Sequence, residues 1–190
     1  MSKTCIGYAM CGSFCTFSKA LAQMKKLVEL DYDVLPIMSA NASKTDTRFG
    51  KAKDFISQIE EITGKKIIDT ITKAEPVGPK KMCDLMLVSP CTGNTLSKIT
   101  LGITDTPVTM AVKSHLRILR PLLLCVATND ALGASAQNIG RLLNTKNVYF
   151  VPLSQDDPDK KPNSLVSRFE LIPECVKHAL KGEQLQPVFR

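Results

Sequence analysis

Asp84-Leu85-Met86-Leu87-Val88, followed by Ser89-Pro90-Cys91-Thr92-Gly93-Asn94-Thr95, is the stretch from which the rest of the chain is read. The apolar run suits a strand buried on both faces of a parallel sheet. Pro90 is expected to end it. Thr92, Asn94 and Thr95 can each cap a following helix, and Leu96, Ile99 and Ile103 recur beyond them at helical spacing. A helix N-terminus with free N–H groups therefore opens at the strand end, a place that attracts anions. Gly93 is expected to let a flat ligand approach the backbone, and Asn94 offers donors and an acceptor to a heterocycle edge. An ordinary capped strand-to-helix turn is the plainer alternative.

Working outward, strand and helix patterns alternate along the whole chain, which predicts an α/β fold with a largely parallel sheet. Thr4 to Met10 reads as a first strand, Cys11 to Thr16 as its loop, and Ser18 to Leu30 as a helix with Ala20, Leu21, Met24, Leu27 and Val28 inward. Asp33 to Met38 is a second strand, placed near a sheet edge by Pro36. A polar loop is expected from Ser39 to Gly50, long enough to cover a ligand. A helix over Lys51 to Thr63 follows, stopped by Gly64. Ile67 to Lys73 fits a short helix or a strand equally, and Ala74 to Pro79 reads as irregular. Beyond the central stretch come a helix from Pro107 to about Leu119 with Thr106 as cap, a strand over Pro121 to Ala127, and a helix carrying Ile139, Leu142 and Leu143. A strand over Val148 to Val151, a polar loop from Ser154 to Ser164 and a helix near Pro173 to Lys181 complete the pattern.

The 190 residues suffice for one domain, 1–190, with a core that needs no disulfide or metal. Seven cysteines, an odd number, three of them in apolar runs (Cys5, Cys83, Cys125), suit a reducing cytoplasm. No apolar run approaches the roughly eighteen residues of a membrane span, so neither export nor insertion is expected. The net charge of +7 raises the question of nucleic acid. Basic pairs are scattered, however, and aromatic residues make up only 5%, so no basic stripe or stacking platform is visible. A mild positive field remains, suited to small anions.

Ligands of such sheets bind beyond the strand C-termini, which selects the loops at Gly12, Ser39, Thr92 and Asn129. Gly7 to Ser13 has the glycine spacing of a phosphate loop, but Ser13-Phe14 stands where a nucleotide triphosphatase needs Lys then Ser or Thr. The dinucleotide fingerprint fails as well, since no second glycine follows Gly7 correctly and the second strand ends in Met38-Ser39 with no acidic residue. A mononucleotide phosphate on the Gly12 and Ser13 backbone, with hydroxyls from Ser13 and Ser39, fits better. Cys11, Cys15 and Cys91 form no Cys-x-x-Cys pair and are read as small fillers, not metal ligands. His115 and His178 are read as packed or surface residues.

Gly12-Ser13 and Pro90-Cys91-Thr92-Gly93-Asn94-Thr95 together resemble the Gly-Ser phosphate loop and the Pro-x-Thr-x-Asn-Thr motif of the flavoprotein family that includes the flavin-containing cysteine decarboxylases. Within that family the likeness to one branch runs nearly end to end, through Thr45 to Gly50, Ala74 to Pro79, Thr128 to Gly133, Gln155 to Pro158 and Lys161 to Ser164. The resemblance implies a three-layer α/β/α, Rossmann-like flavoprotein fold. It implies FMN binding by Gly12, Ser13, Ser39, Pro90, Thr92, Asn94 and Thr95, with NADP at the same loop left open. A homo-oligomer whose protomers complete each other's sites is implied too, and the wide apolar surface of the helix from Pro107 to Leu119 is consistent with one. The branch further implies two-electron oxidation of a dihydrodipicolinate-type precursor to pyridine-2,6-dicarboxylate, in the mother-cell cytoplasm during sporulation, together with a nicotinamide-binding partner protein. Arg48, Lys44 and Asn129 are the candidates to hold the two carboxylates. No catalytic residue is singled out. The decarboxylases carry a histidine before the Pro-x-Thr-x-Asn motif, whereas both histidines here follow it, and their Pro-Ala-Met-Asn motif appears as Val126-Ala127-Thr128-Asn129. A flavin-dependent decarboxylase and a non-catalytic protein that completes its partner's site are the alternatives.

Overall fold

The computed structural model describes residues 3–190. Four parallel strands form its centre: β1 (Cys5–Met10), β2 (Asp33–Met38), β3 (Leu85–Cys91) and β4 (Leu122–Thr128), in the order β2-β1-β3-β4. Because successive side chains point to opposite faces, β3 sends Leu85 and Leu87 into one core and Met86 and Val88 into the other. Both faces are covered by helices, which is why the strand reads as an unbroken apolar run. Removing one such side chain, as in Leu87→Ala, is expected to cost about 2–5 kcal/mol.

The first core lies under α1 (Phe17–Glu29), α3 (Ala52–Thr63) and α8 (Ile172–Leu180). Phe17, Ala20, Leu21, Met24 and Leu27 are the inward stripe of α1, while Val28, expected inward, is 36% exposed. The second core lies under α5 (Gly93–Leu101), α6 (Pro107–Leu116) and α7 (Ala136–Leu143). A capping box between Thr106 and Thr109, with Pro107 in the first turn, starts α6.

Several boundaries differ from the sequence reading. The central strand does not stop at Pro90 but continues to Cys91, with a register shift against β4 between Val88 and Cys91. A proline lacks a ladder donor, and an irregularity in the pairing is where a buried strand tolerates one. The segment after β2 is not all loop: Ser39 caps a short helix α2 (Ala40–Lys44), accepting a bond from the Ala42 N–H at 3.2 Å. Ile67 to Lys73 is partly both alternatives, with Ile68 bridging Ile37 at the β2 edge before a one-turn helix α4 (Ile71–Ala74). Helix α5 ends at Gly102, φ +70°, so Ile103 lies outside it and is exposed.

Beyond β4 the chain forms three short strands: β5 (Val148–Phe150), β6 (Leu153–Ser154) and β7 (Leu165–Ser167). β5 pairs in parallel with the first half of β4, and β7 pairs antiparallel with its end, placing Leu165 opposite Thr128. The turn between β6 and β7 is thereby carried to the edge where the parallel strands end. Pro36 sits in β2 at the sheet margin, as expected, and its carbonyl accepts from Ile68 N–H at 2.9 Å.

Candidate functional site

The C-terminal ends of the parallel strands open onto a cavity of about 720 Å³. Pockets of roughly 300–1,000 Å³ are of cofactor or small-ligand size. Its floor is built by the loop after β1 (Gly12 to Thr16), the start of α5 (Thr92 and Gly93), and the end of β4 with its loop (Ala127 to Asp130). Phe14, Phe49 and Val166 give it apolar wall, and Lys19 and Lys161 bring positive charge beside the carboxylates of Asp130 and Asp156.

Each loop is held by its own polar contacts. Thr92 is the N-cap of α5: its hydroxyl oxygen accepts from Thr95 N–H at 3.2 Å and donates to Thr95 Oγ1 at 3.1 Å. The other first-turn N–H groups of α5 lie at the end of the helix whose Thr92 and Gly93 line the cavity. Gly93 is explained differently from the sequence reading. A β-carbon there would lie 2.7 Å from Thr128 Oγ1, 2.9 Å from Asp130 Oδ1 and 2.9 Å from Ser135 Oγ. The space over this glycine is filled by the β4 loop, so the residue is small to let two loops meet. Asp130 in turn accepts from the Thr128 hydroxyl and, at 3.0 Å, from the Ser135 hydroxyl. Asn138 on α7 donates to Ser97 Oγ at 2.9 Å, and Ser97 donates to the Gly93 carbonyl at 2.9 Å. The Asn138–Ser97 bond and the approach of the β4 loop to Gly93 are non-local, and no spacing in the sequence announces them.

The loop after β1 is a 3-10 turn, Phe14–Thr16, leading straight into α1. Thr16 donates to the Ser13 carbonyl at 2.8 Å and lies 3.2 Å from Ser13 Oγ. Of the residues picked from the sequence, Gly12, Ser13, Thr92 and Asn129 line the cavity together. Pro90 and Thr95 are buried just behind it, Asn94 is exposed in the first turn of α5, and Ser39 is occupied in capping α2. Lys44, at the C-terminal end of α2, and Arg48 are exposed and do not line the cavity themselves. Arg48 instead lies over the ring of Phe49, 4.9 Å from its centroid, and Phe49 does line it. Asp46, weighed as a partner for Arg48, accepts from Ala52 N–H at 2.8 Å and so caps α3.

Several parts of the site were not picked out residue by residue from the sequence: Phe49, Lys19 on α1, Val166 on β7, and the segment from Gln155 to Ser164, which contributes Asp156 and Lys161. Ser164, fully buried, has its hydroxyl 3.4 Å from Asn129 Oδ1, and Leu132 N–H donates to the Asn163 carbonyl at 3.0 Å, so the segment is fastened to the β4 loop. Lys161 pairs with Asp156 at 3.0 Å. Hydrogen bonding by Ser164, with help from Lys161, holds the Asp156 carboxyl below its ordinary range, and Asp156 in turn raises the Lys161 ammonium.

Cys11 and Cys91 are buried beneath the loops; burial pushes the Cys11 thiol up to about 11 and the Cys91 thiol well above its usual value. They stay protonated near neutrality and act as packing. Cys15 alone of the three is exposed, at the cavity wall. His115 is fully buried away from the cavity, its Nε2 3.1 Å from the Pro121 carbonyl and its Nδ1 3.5 Å from Cys83 Sγ. A carbonyl only accepts, so Nε2 carries the proton and Nδ1 accepts from the thiol. Burial lowers this imidazole to about 4. His178, on α8, faces Glu183 at 3.0 Å.

The cavity matches what a flavin mononucleotide needs on this chain's side: a helix N-terminus and a hydroxyl-bearing loop for an anionic group, with apolar side chains beside them. Among known proteins, a model of the Flavoprotein family matches residues 1–170. The B subunit of dipicolinate synthase from Bacillus subtilis is 45% identical over 183 residues, 96% of this chain and 92% of that one. The crystal structure of the dipicolinate synthase B subunit from Bacillus halodurans superposes with a TM-score of 0.91 at 45% identity, covering 98% of this chain and 96% of that one. The FMN-dependent cysteine decarboxylase SpaF shares the fold, with a TM-score of 0.69 at 18% identity over 94% of this chain and 95% of that one. With its parallel sheet, its strand-end cavity and a family match over most of its length, the chain belongs to the Flavoprotein family and is a homologue of the B subunit of dipicolinate synthase.

Proposed function

We propose that the cavity holds FMN and that the protein works as the B subunit of a dipicolinate synthase, with the A subunit of that synthase as its partner. The observation that carries this reading is the 45% identity spread over 96% of the chain, to a relative that bears that name. In this reading Gly12 and Ser13 hold the phosphate, and the start of α5 with Thr92, Asn94 and Thr95 holds the flavin, while Pro90 and Ser39 shape the strand ends behind them. Bound FMN supplies two-electron redox chemistry. The protein's own part is to bind and orient: the helix N-terminus favours negative charge, and Phe14 and Val166 offer apolar surface to the flavin ring. Asn129 lines the cavity and has amide hydrogens to donate to a substrate carboxylate. Arg48 and Lys44 stand above on the α2 to α3 segment as further cations for a dicarboxylate of the dihydrodipicolinate type.

Because His115 and His178 both lie away from the cavity, decarboxylation by a cavity histidine is disfavoured. Oxidation shared with the A subunit, during sporulation and in the mother-cell cytoplasm, is the activity we assign. Among the described residues no helix is long and apolar enough to cross a membrane.

Assembly belongs to the same proposal. The apolar face of α6 is mostly used inside the protomer, since Val108, Ala111 and Val112 are buried there. What remains for another chain is Leu101, Ile103 and Leu119, exposed beside a groove of about 380 Å³ between α5 and α6. Reconstitution tests the reading: the protein mixed with the A subunit and FMN should form pyridine-2,6-dicarboxylate, and omission of FMN should abolish it. Equal turnover with NADP alone, in protein stripped of flavin, would replace FMN by the nicotinamide cofactor.

A further inference from the structure

Phe49 is a large apolar side chain kept 46% exposed at the wall of a polar cavity, and its position is built in. Thr47 and Gly50 exchange backbone hydrogen bonds at 3.0 and 3.1 Å, so Arg48 and Phe49 form the tip of a tight two-residue turn. Phe49 N–H donates to Thr47 Oγ1 at 3.2 Å inside that turn. Gly50, at φ +147°, presses its backbone against Phe55 of α3, where a β-carbon would come within 2.8 Å of the ring. On its other side Asp46 ties the segment to the start of α3. The Arg48 guanidinium lies over the ring, and Phe49 lines the cavity.

The sheet order shows what faces this turn. The turn follows β2, at one margin of the sheet, whereas Lys161 lies between β6 and β7, at the other margin. Both nevertheless line the same cavity, with the β1, β3 and β4 loops between them. Lys161 is itself fixed in a tight turn, its N–H donating to the Asp157 carbonyl at 2.7 Å and its carbonyl accepting from Ser164 N–H at 3.0 Å. Lys19 lines the cavity as a second cation. A ligand that spans the mouth therefore meets an aromatic side chain at one end and, at the other, the Lys161 ammonium, which shares its charge with Asp156 at 3.0 Å, and the Lys19 ammonium.

We propose that Phe49 and Lys161 form a subsite for an aromatic carboxylate, with Phe49 taking the face of the ring and Lys161 a carboxylate group. The inference rests on the functional reading above and adds to it the two residues that select a planar, anionic ring. Ring stacking distinguishes aromatic from saturated ligands of the same charge, because only the former offers a flat π surface to Phe49. Lys161, a point charge on a flexible stem, does not make that distinction.

Calorimetric titration of the flavin-loaded protein with pyridine-2,6-dicarboxylate and with a saturated ring of the same charge, cis-cyclohexane-1,3-dicarboxylate, tests the subsite. Phe49→Leu should weaken the aromatic ligand roughly two- to tenfold and leave the saturated one unchanged. Phe49→Tyr should restore the preference, and Lys161→Ala should weaken both ligands several-fold. Equal affinity of Phe49→Leu and wild type for the aromatic ligand, or an unaltered Lys161→Ala protein, overturns the subsite while the functional reading stands. Failure of the wild type to bind either dicarboxylate, with flavin bound normally, removes both the subsite and the assignment of substrate.

Discussion

Gly93→Ala probes the joint on which the cavity depends. The new methyl carbon would sit 2.7–2.9 Å from three oxygens, those of Thr128, Asp130 and Ser135. None is the far end of a long flexible chain, and Asp130 is held by both neighbouring hydroxyls. Relief requires the segment from Thr128 to Ser135 to move by several tenths of an ångström. Overpacking of this kind typically costs about 1–3 kcal/mol, and loss of one of the Asp130 hydrogen bonds adds about 1 kcal/mol, so we expect destabilisation of about 2–4 kcal/mol. The same shift displaces Thr128 and Asn129 from the cavity wall, and FMN affinity should fall by about tenfold, near 1.4 kcal/mol. Urea unfolding and fluorescence titration with FMN measure the two effects. Thr128→Ala in the same chain removes the nearest of the three oxygens, so the double variant should be less destabilised than the sum of the single ones by at least about 0.5 kcal/mol. A Gly93→Ala protein within about 0.5 kcal/mol of wild type, binding FMN normally, would refute the close approach of the two loops.

Thr92→Ala removes the cap of α5 and should cost about 1 kcal/mol in urea unfolding, together with weaker FMN binding. Arg48→Ala should lower dipicolinate formation with the A subunit by about ten- to a hundredfold, the worth of a charge-assisted contact, without change in stability. Asp46→Ala should instead destabilise the start of α3, and unfolding curves of the two variants separate these roles. His115 has its pKa depressed on folding, from about 6.5 unfolded to about 4, so the unfolded chain binds more protons between those values. Stability therefore falls as pH drops through that window, by roughly 3 kcal/mol from this residue between pH 7 and pH 4, and a His115→Gln protein should show a shallower dependence there. Identical pH profiles for the two proteins would exclude a neutral buried imidazole.

The parts of the fold that could be read in advance are those written in local pattern. β3 and β4 are continuous apolar runs because both their faces are covered, and Thr106-Pro107 announces α6 through its cap. The passage of β3 through Pro90 was not visible, since it depends on a register shift against a strand more than thirty residues away. β6 and β7 are two and three residues long, too short for alternation, and exist through pairing with each other and with the end of β4. Lys161 owes its place in the cavity to that pairing. Gly12, Ser13, Thr92 and Asn129 could be chosen because strand ends carry sites in parallel sheets, and they do meet in one cavity. The breadth of apolar residues on α6 suggested an intermolecular face, but α4 and the turn at Glu75–Val77 pack against that helix within the protomer. Gly93 has a further reason for its identity, because the β4 loop occupies the space where a β-carbon would lie.

Titration of the purified, flavin-stripped protein with FMN, followed by flavin fluorescence and the visible spectrum, tests the central claim most directly. Saturable binding is predicted, abolished or strongly weakened in Asn94→Ala, a variant whose exposed side chain leaves the fold intact. Absence of any binding by the wild-type chain, alone and mixed with the A subunit, would contradict it.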